Sequence, residues 1–270
     1  MRTKAIMIFT LILAVALEAN TAAAQRIVTD GLISHWSFDK ADIQGDTIKD
    51  AWGSNDGTMV GGPRVVEGKV GEALELNGVD QYVEVGTPAD GSLDFGQDID
   101  FTIAAWIKVS EMPADQYTIV SKGDRGSSPR ILFKINGDLA YITLANEPGG
   151  GQKPDFTSNT PVVDGEWHYV ALVADRRNAT MIYVDGVLDA EGIGSDSTDV
   201  NTESPLYIGK SHQDGNDPRR FLEGLIDEVS IYNRALSINE IQQNMAALGI
   251  AVEPVSKELA ITWGKMKILD

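Results

Sequence analysis

The 270-residue sequence predicts an all-β protein, an antiparallel sandwich of two sheets with one short helix near its C-terminal end. Three observations carry that reading. Apolar residues recur at alternate positions through most of the chain, dipeptides that build tight hairpins stand between the alternating runs, and helical periodicity occurs once.

The alternation is clearest at residues 101–109. Phe101, Ile103, Ala105, Ile107 and Val109 share one face of an extended segment, and Thr102, Ala104, Trp106 and Lys108 share the other. Few charges interrupt either face, so this is a central strand covered on both sides. Trp167, Tyr169, Ala171 and Val173 alternate in the same way with His168, Val170, Leu172 and Ala174, which requires two stacked sheets. Runs at 117–122, 131–135, 139–144, 181–184 and 206–208 add strands rich in Ile, Val and Tyr. Asn136-Gly137 and Asp185-Gly186 supply the positive φ angles of tight antiparallel turns. The helix starts at Ser237, which can cap while Glu240 reaches back. It carries Ile238, Ile241, Met245 and Leu248 on one face and stops at Gly249. Short and late, it is expected to plug one opening of the sandwich.

Composition narrows the function. With 43% hydrophobic and 23% charged residues the chain can bury a core and is not a disordered polymer. It has 40 acidic against 22 basic side chains, a net charge of -18, which repels phosphate backbones and anionic lipid surfaces. Nucleic acid is excluded as a partner; a cation or a neutral polymer fits. Arg2 and Lys4, the apolar run 5–17 and the small residues Ala22 and Ala24 read as a secretory signal peptide over residues 1–24. Removing it takes away Arg2, Lys4 and Glu18 and leaves a charge of -19. The apolar run is shorter than the ~20 residues of a spanning helix, so the expected location is secreted or cell envelope, with no membrane insertion after signal removal. There is no cysteine, so stability outside the cell must come from core area or a bound metal. Residues 25–249 fit one domain. Residues 250–270 form a C-terminal extension that the sequence leaves open between an added edge strand and a disordered tail.

Six blocks in order carry a resemblance: 31–39 (GLISHWSFD), 73–83 (ALELNGVDQYV), 101–107 (FTIAAWI), 166–173 (EWHYVALV), 182–186 (IYVDG) and 224–236 (GLIDEVSIYNRAL). Together they resemble the laminin G-like branch of the concanavalin A-like jelly-roll sandwiches of secreted bacterial proteins. The resemblance implies a carbohydrate-binding or adhesive module, often with a structural calcium ion between the first and last strands. It does not by itself assign a function, because lectins, adhesion modules, glycosidases and lyases share this fold.

Calcium takes six to eight oxygen ligands. Asp227 lies in the apolar run Leu225 to Val229 and is costly to bury uncompensated, so it faces out with Glu228 inward, or it holds a cation or hydrogen bonds. The resemblance implies the cation, with Asp39 at the end of the first strand as a second ligand. Loop chemistry alone adds Asp50 and Asn55.

Glycan binding needs an exposed aromatic plate and planar polar groups. Trp36, Trp106 and Trp167 lie within strands and read as core; Trp52, in a loop rich in Gly and Asn, is freer. Residues 211–220 concentrate hydrogen-bonding side chains, among them His212, Asp214, Arg219 and Arg220, and Arg125 and Arg130 do so in another loop. Arg219 and Arg220 suit the carboxylate of a uronic or sialic acid, or salt bridges with neighbouring aspartates. A catalytic reading finds less. The acidic triplet of glycosidases of this fold has no match, since Glu223, Asp227 and Glu228 have the wrong spacing. Lys134, Tyr141, His168 and Tyr169 suit a lyase by type only. Three histidines and no cysteine argue against zinc and thiol chemistry. The sequence thus reads as a secreted non-catalytic module, stabilised by calcium, that binds a glycan or an extracellular surface protein. The alternatives are a polysaccharide-active hydrolase or lyase working on the concave sheet, and a purely structural envelope protein.

Overall fold

The computed structural model describes residues 26–111, 116–123, 129–146, 154–195, 198–211 and 221–249. The expected signal peptide, the 250–270 extension, Arg125, His212, Asp214, Arg219 and Arg220 lie outside these residues.

Strand β1 (Leu32–Trp36) is followed by a 3-10 turn (Lys40–Asp42) and the two-residue strands β2 (Ile43–Gln44) and β3 (Thr47–Ile48). Next come β4 (Gly57–Val60), β5 (Arg64–Glu67), β6 (Glu72–Asn77), β7 (Tyr82–Gly86) and the long β8 (Phe101–Lys108). A meander follows, β9 (Gln116–Lys122), β10 (Arg130–Asn136), β11 (Leu139–Ala145) and β12 (Asp155–Pro161), and then a second, β13 (Trp167–Asp175), β14 (Ala179–Val184) and β15 (Val187–Ile193). The short β16 (Leu206–Ile208), β17 (Glu223–Tyr232) and helix α1 (Ile238–Ala246) complete the order.

These strands form two antiparallel sheets. The first runs β15-β14-β13-β8-β17-β6-β5, with β1 also paired to β17; the second runs β12-β11-β10-β9-β16-β7-β4-β3-β2. Between them lies one apolar core built by alternation: Phe101, Ile103, Ala105 and Ile107 of β8 meet Ile119, Phe133 and Ile142 of the second sheet. The hairpin signal at 185–186 is direct, since Asp185 and Gly186 take φ of +50° and +74° between paired Val184 and Val187. At the other signal the loop sits one residue later. Asn136 still pairs with Leu139, so Gly137, at φ +62°, and Asp138 make the turn.

The other face of the first sheet carries a second apolar cluster of Ala104, Trp106, Tyr169, Val173 and Tyr183, covered by Ile241 and Ala247 from the helical segment and by Ile27 and Val28. The helix therefore covers the outside of a sheet and does not plug an opening. The reason is the apolar area that alternation places on both faces of β8 and β13, which would otherwise meet water. Asn244 fixes the contact, accepting from the Val28 N–H at 2.8 Å and donating to the Tyr232 hydroxyl at 2.9 Å. The buried stripe is narrower than expected, because Ile238 and Leu248 are exposed.

One irregularity positions the site. At Glu228, with φ +52°, the register of β17 against β8 shifts between Asp227 and Ser230. Before this bulge β17 pairs with β6 through Ile226, and after it with β1 from Val229. Asp227 and Glu228 thus stand where β17 changes neighbours, and the end of β1 and the start of β6 converge there.

Candidate functional site

The gap between β1 and β6 is filled by the turn at 68–71. Its Lys69 and Val70 N–H groups donate to Asp227 Oδ2 at 2.8 and 2.9 Å. Glycine is needed at position 68, where a Cβ would stand 2.7 Å from Asp227 Oδ2. Asp39, just beyond β1, accepts from the Glu72 N–H at 2.7 Å. Asp227 is fully buried, and its Oδ1 has no hydrogen-bond partner; neither has Oε1 of buried Glu228. The second oxygen of Glu228 lies 3.3 Å from Nε2 of His35, whose Nδ1 bonds the Ser230 hydroxyl at 2.8 Å. Burial pushes the Asp227 carboxyl up; the Val70 N–H draws it partly back, the neighbouring Glu228 raises it again, and the balance is about 8. Asp39 is also raised, by burial and then by Glu228 and other nearby acids, against the pull of the Glu72 N–H.

Asp39 and Asp227 therefore flank the same turn, and Glu228 joins them unforeseen, because period-2 alternation cannot anticipate a bulge. Two buried carboxylate oxygens without partners are donors of the hard kind that calcium takes, so the residues fit that ion. Among the described residues no three His, Asp or Glu side chains form a ready cage, so carbonyls and water would fill most of the shell.

Asp50 and Asn55 do not join this group. Asp50 lies along the edge of β1 opposite β17. Its Oδ1 accepts from the N–H groups of His35, Trp52 and Gly53 at 2.9, 3.1 and 2.9 Å, and its Oδ2 from that of Asn55 at 3.0 Å. The Asn55 amide bonds the Ser34 and Ser92 hydroxyls at 2.8 and 3.1 Å. Both side chains are occupied in holding the loop against the strand. Trp52, in that loop, is 45% exposed, with its indole N–H fixed to the Leu32 carbonyl at 2.9 Å, so it is an anchored ring with an open surface.

A cleft of about 620 Å³ opens on the outer face of the first sheet, two residues before Asp227 along β17. Leu225 pairs with Glu75 on one side and Lys108 on the other, and Arg64 pairs with Glu75, so these four make one cross-strand row. Their neighbours Leu74, Leu76, Ile107 and Ile226 point into the core, which turns the row outward. The Arg64 guanidinium forms an ion pair with Glu75. Glu223, on the rim, accepts from the Tyr117 hydroxyl at 2.8 Å; burial, and then that bond, hold the Tyr117 proton well above the ordinary phenol range. Gly224 has φ +142°, and a Cβ there would stand 2.5 Å from the Lys108 carbonyl, so the floor is bare by necessity. Lys108, Ser110 and Glu111 border the cleft and have no side-chain hydrogen bond or ion pair among the described residues. Sequence reasoning missed this site because its residues come from β5, β6, β8 and β17, and only register brings them together.

The lyase-type residues are divided between sheets. Lys134 and Tyr141 pair on the outer face of the second sheet, where the ammonium lies 4.3 Å from the ring centre and bonds Gln116 Oε1 at 2.8 Å. Tyr141 donates to Asp155; burial and that bond push its phenol up to about 12, so it keeps its proton at neutral pH. Arg130 is buried at the start of β10 and acts electrostatically on Tyr141. Tyr169 is buried under the helix on the other sheet. His168 bridges Asp185 at 2.8 Å and Asp164 at 3.1 Å and ties the 185–186 turn to the start of β13.

Comparison with known proteins agrees with this architecture. Over 80 residues, 30% of the chain, the sequence is 30% identical to human laminin subunit alpha-1, covering 2% of that protein. The binding domain of a paraclostridial mosquitocidal protein superposes with a TM-score of 0.64 at 18% identity, over 80% of this chain and 52% of that one. Domain 4 of AbnA, an extracellular arabinanase of Geobacillus stearothermophilus solved with arabinotriose, gives 0.59 at 21% identity, over 79% of this chain and 98% of that one. The chain thus spans about half of the first of these structures and a small part of laminin. A model of the concanavalin A-like lectin/glucanases superfamily matches residues 77–242, which is more than half of the sequence, and the chain belongs to that superfamily.

Proposed function

We propose that the chain is a secreted, non-catalytic module that binds glycan through the cleft on its first sheet and is stabilised by calcium. The observation that carries this reading is the cleft itself. Its volume lies within the ordinary range of ligand sites, and Lys108, Ser110 and Glu111 border it with their polar groups unspent among the described residues. Glu75 is engaged there by the Arg64 charge and Glu223 accepts from the Tyr117 hydroxyl, which suits holding hydroxyls better than donating a proton to a glycosidic oxygen. Trp52 adds an exposed aromatic plate elsewhere on the surface. Support comes also from the fold neighbour solved with arabinotriose.

Calcium would be held by Asp227 and Glu228, with Asp39 across the 68–71 turn. There it would tie the end of β1 to the start of β6 and satisfy the two bare carboxylate oxygens. The acidic composition and the absence of cysteine fit a module that works outside the cell without disulfides.

The test is a glycan array followed by prolonged incubation of each bound oligosaccharide with the protein. Retention with the saccharide unchanged is the expected result. New reducing ends, or the absorbance of an unsaturated uronate, would replace this reading with an enzymatic one.

A further inference from the structure

We infer that the cleft of the first sheet selects neutral saccharides over carboxylated ones, with Lys108 as the residue that reads their hydroxyls. This rests on the glycan-binding reading above.

The argument begins with which charges are free. Arg64 is spent on Glu75, so its positive charge is cancelled within the wall. Lys108 remains, set against Glu223 and Glu111. Among the described lining residues, one unspent cation against two carboxylates leaves a negative balance where a guest would lie. A uronate brought there meets like charge at short range, and the net charge of -18 opposes its approach from a distance.

A hydroxyl has no such conflict, because it both donates and accepts. It can give its hydrogen to Glu223 or Glu111 and take one from Lys108 or Ser110. Neighbouring hydroxyls on a sugar ring do both at once. The row's geometry matches that use. Glu75 and Lys108 flank Leu225 on adjacent strands, so they stand about 9–10 Å apart across the floor. A ring can rest its C–H face on Leu225 and the bare backbone of Gly224 with hydroxyls directed to charges at both ends.

The wall is also set in advance. Glu223 is held by the Tyr117 hydroxyl, and the Asn77 side chain is fixed by the N–H groups of Val79 and Asp80 at 3.0 and 3.2 Å. The Gln81 amide is fixed on the Gly61 and Gly62 carbonyls. Binding therefore has to order Lys108, Ser110 and Glu111 and little else, which keeps its entropic cost small.

The experiment is titration calorimetry on the whole protein with neutral arabino-, xylo-, cello- and galacto-oligosaccharides and an oligogalacturonate of matched length. Lys108→Gln, Ser110→Trp and the double variant Glu111→Gln/Glu223→Gln are titrated beside the parent, each after its melting curve shows a folded protein. The parent should bind a neutral oligosaccharide at least about 10-fold more tightly than the oligogalacturonate. Lys108→Gln should weaken that binding about 10-fold and Ser110→Trp, which fills the cleft, should abolish it. The double variant should narrow the preference for neutral sugar. Preference of the parent for the oligogalacturonate would overturn the inference. Neutral binding untouched by Ser110→Trp would overturn it too while leaving glycan binding in place, and no saccharide bound by the parent would remove both.

Discussion

Asp227 and Glu228 are consecutive, both are buried, and each keeps one carboxylate oxygen without a hydrogen bond. Left alone, such a pair costs stability, since two carboxyls out of water repel when both are ionised, and burial together with the Glu228 charge pushes the Asp227 carboxyl up to about 8. The bulge in β17 brings them together and the 68–71 turn closes over them.

Calcium should relieve that cost. Added to EDTA-treated protein at about a hundredfold excess over its Kd, it should raise the melting temperature by about 5–10 °C, as read by scanning calorimetry. Asp227→Asn should lose the response. A parent melt that does not move with calcium would remove the ion from this site.

Asp50 has a different task. Its carboxylate accepts four backbone N–H groups, so Asp50→Ala should lower unfolding free energy by about 3 kcal/mol in urea titrations. The calcium response should survive in this variant if the protein remains folded. Its loss would make Asp50 part of the ion site.

His168 makes part of the stability depend on pH. Burial works to lower its pKa, but the bonds to Asp185 and Asp164 outweigh it and leave the imidazole above its ordinary value. The charged form is therefore favoured by folding. Its contribution is complete below about pH 6.5 and fades as the pH rises through the folded-state value. His168→Gln should cost about 1 kcal/mol at pH 5.5 and less at pH 9. An imidazole NMR titration midpoint at or below about 6.5 would contradict this.

Gly224→Ala tests the floor of the cleft. At φ +142°, with its would-be Cβ against the Lys108 carbonyl, alanine must disturb the pairing of β17 with β8. A loss of about 2–3 kcal/mol in chemical denaturation is expected, larger than for an exposed strand glycine.

Alternation in β8 and β13 was enough to read the two-layer core and the second buried face, because each follows from which residues share a face, and the turn dipeptides at 136–137 and 185–186 supplied the antiparallel order. The sequence could not say that the helix covers that second face, since plugging an opening buries Ile241 equally well. Glu228 was hidden by the bulge. The row of Arg64, Glu75, Leu225 and Lys108 was hidden for another reason: it exists only through the register of four strands distant in sequence. Asp50 was legible as a loop acid. That its carboxylate would accept four backbone N–H groups depended on the course of a backbone that composition does not record.

The position of β17 in the sheet also bears on how the chain is made. β1, β6 and β8 all zip onto this one strand, and the His35–Ser230 contact closes a separation of 195 residues. A nascent chain emerging from the ribosome therefore holds its first strand waiting until almost the last has been synthesised. Such non-local closure favours refolding on the millisecond-to-second scale and keeps the growing polypeptide open for longer.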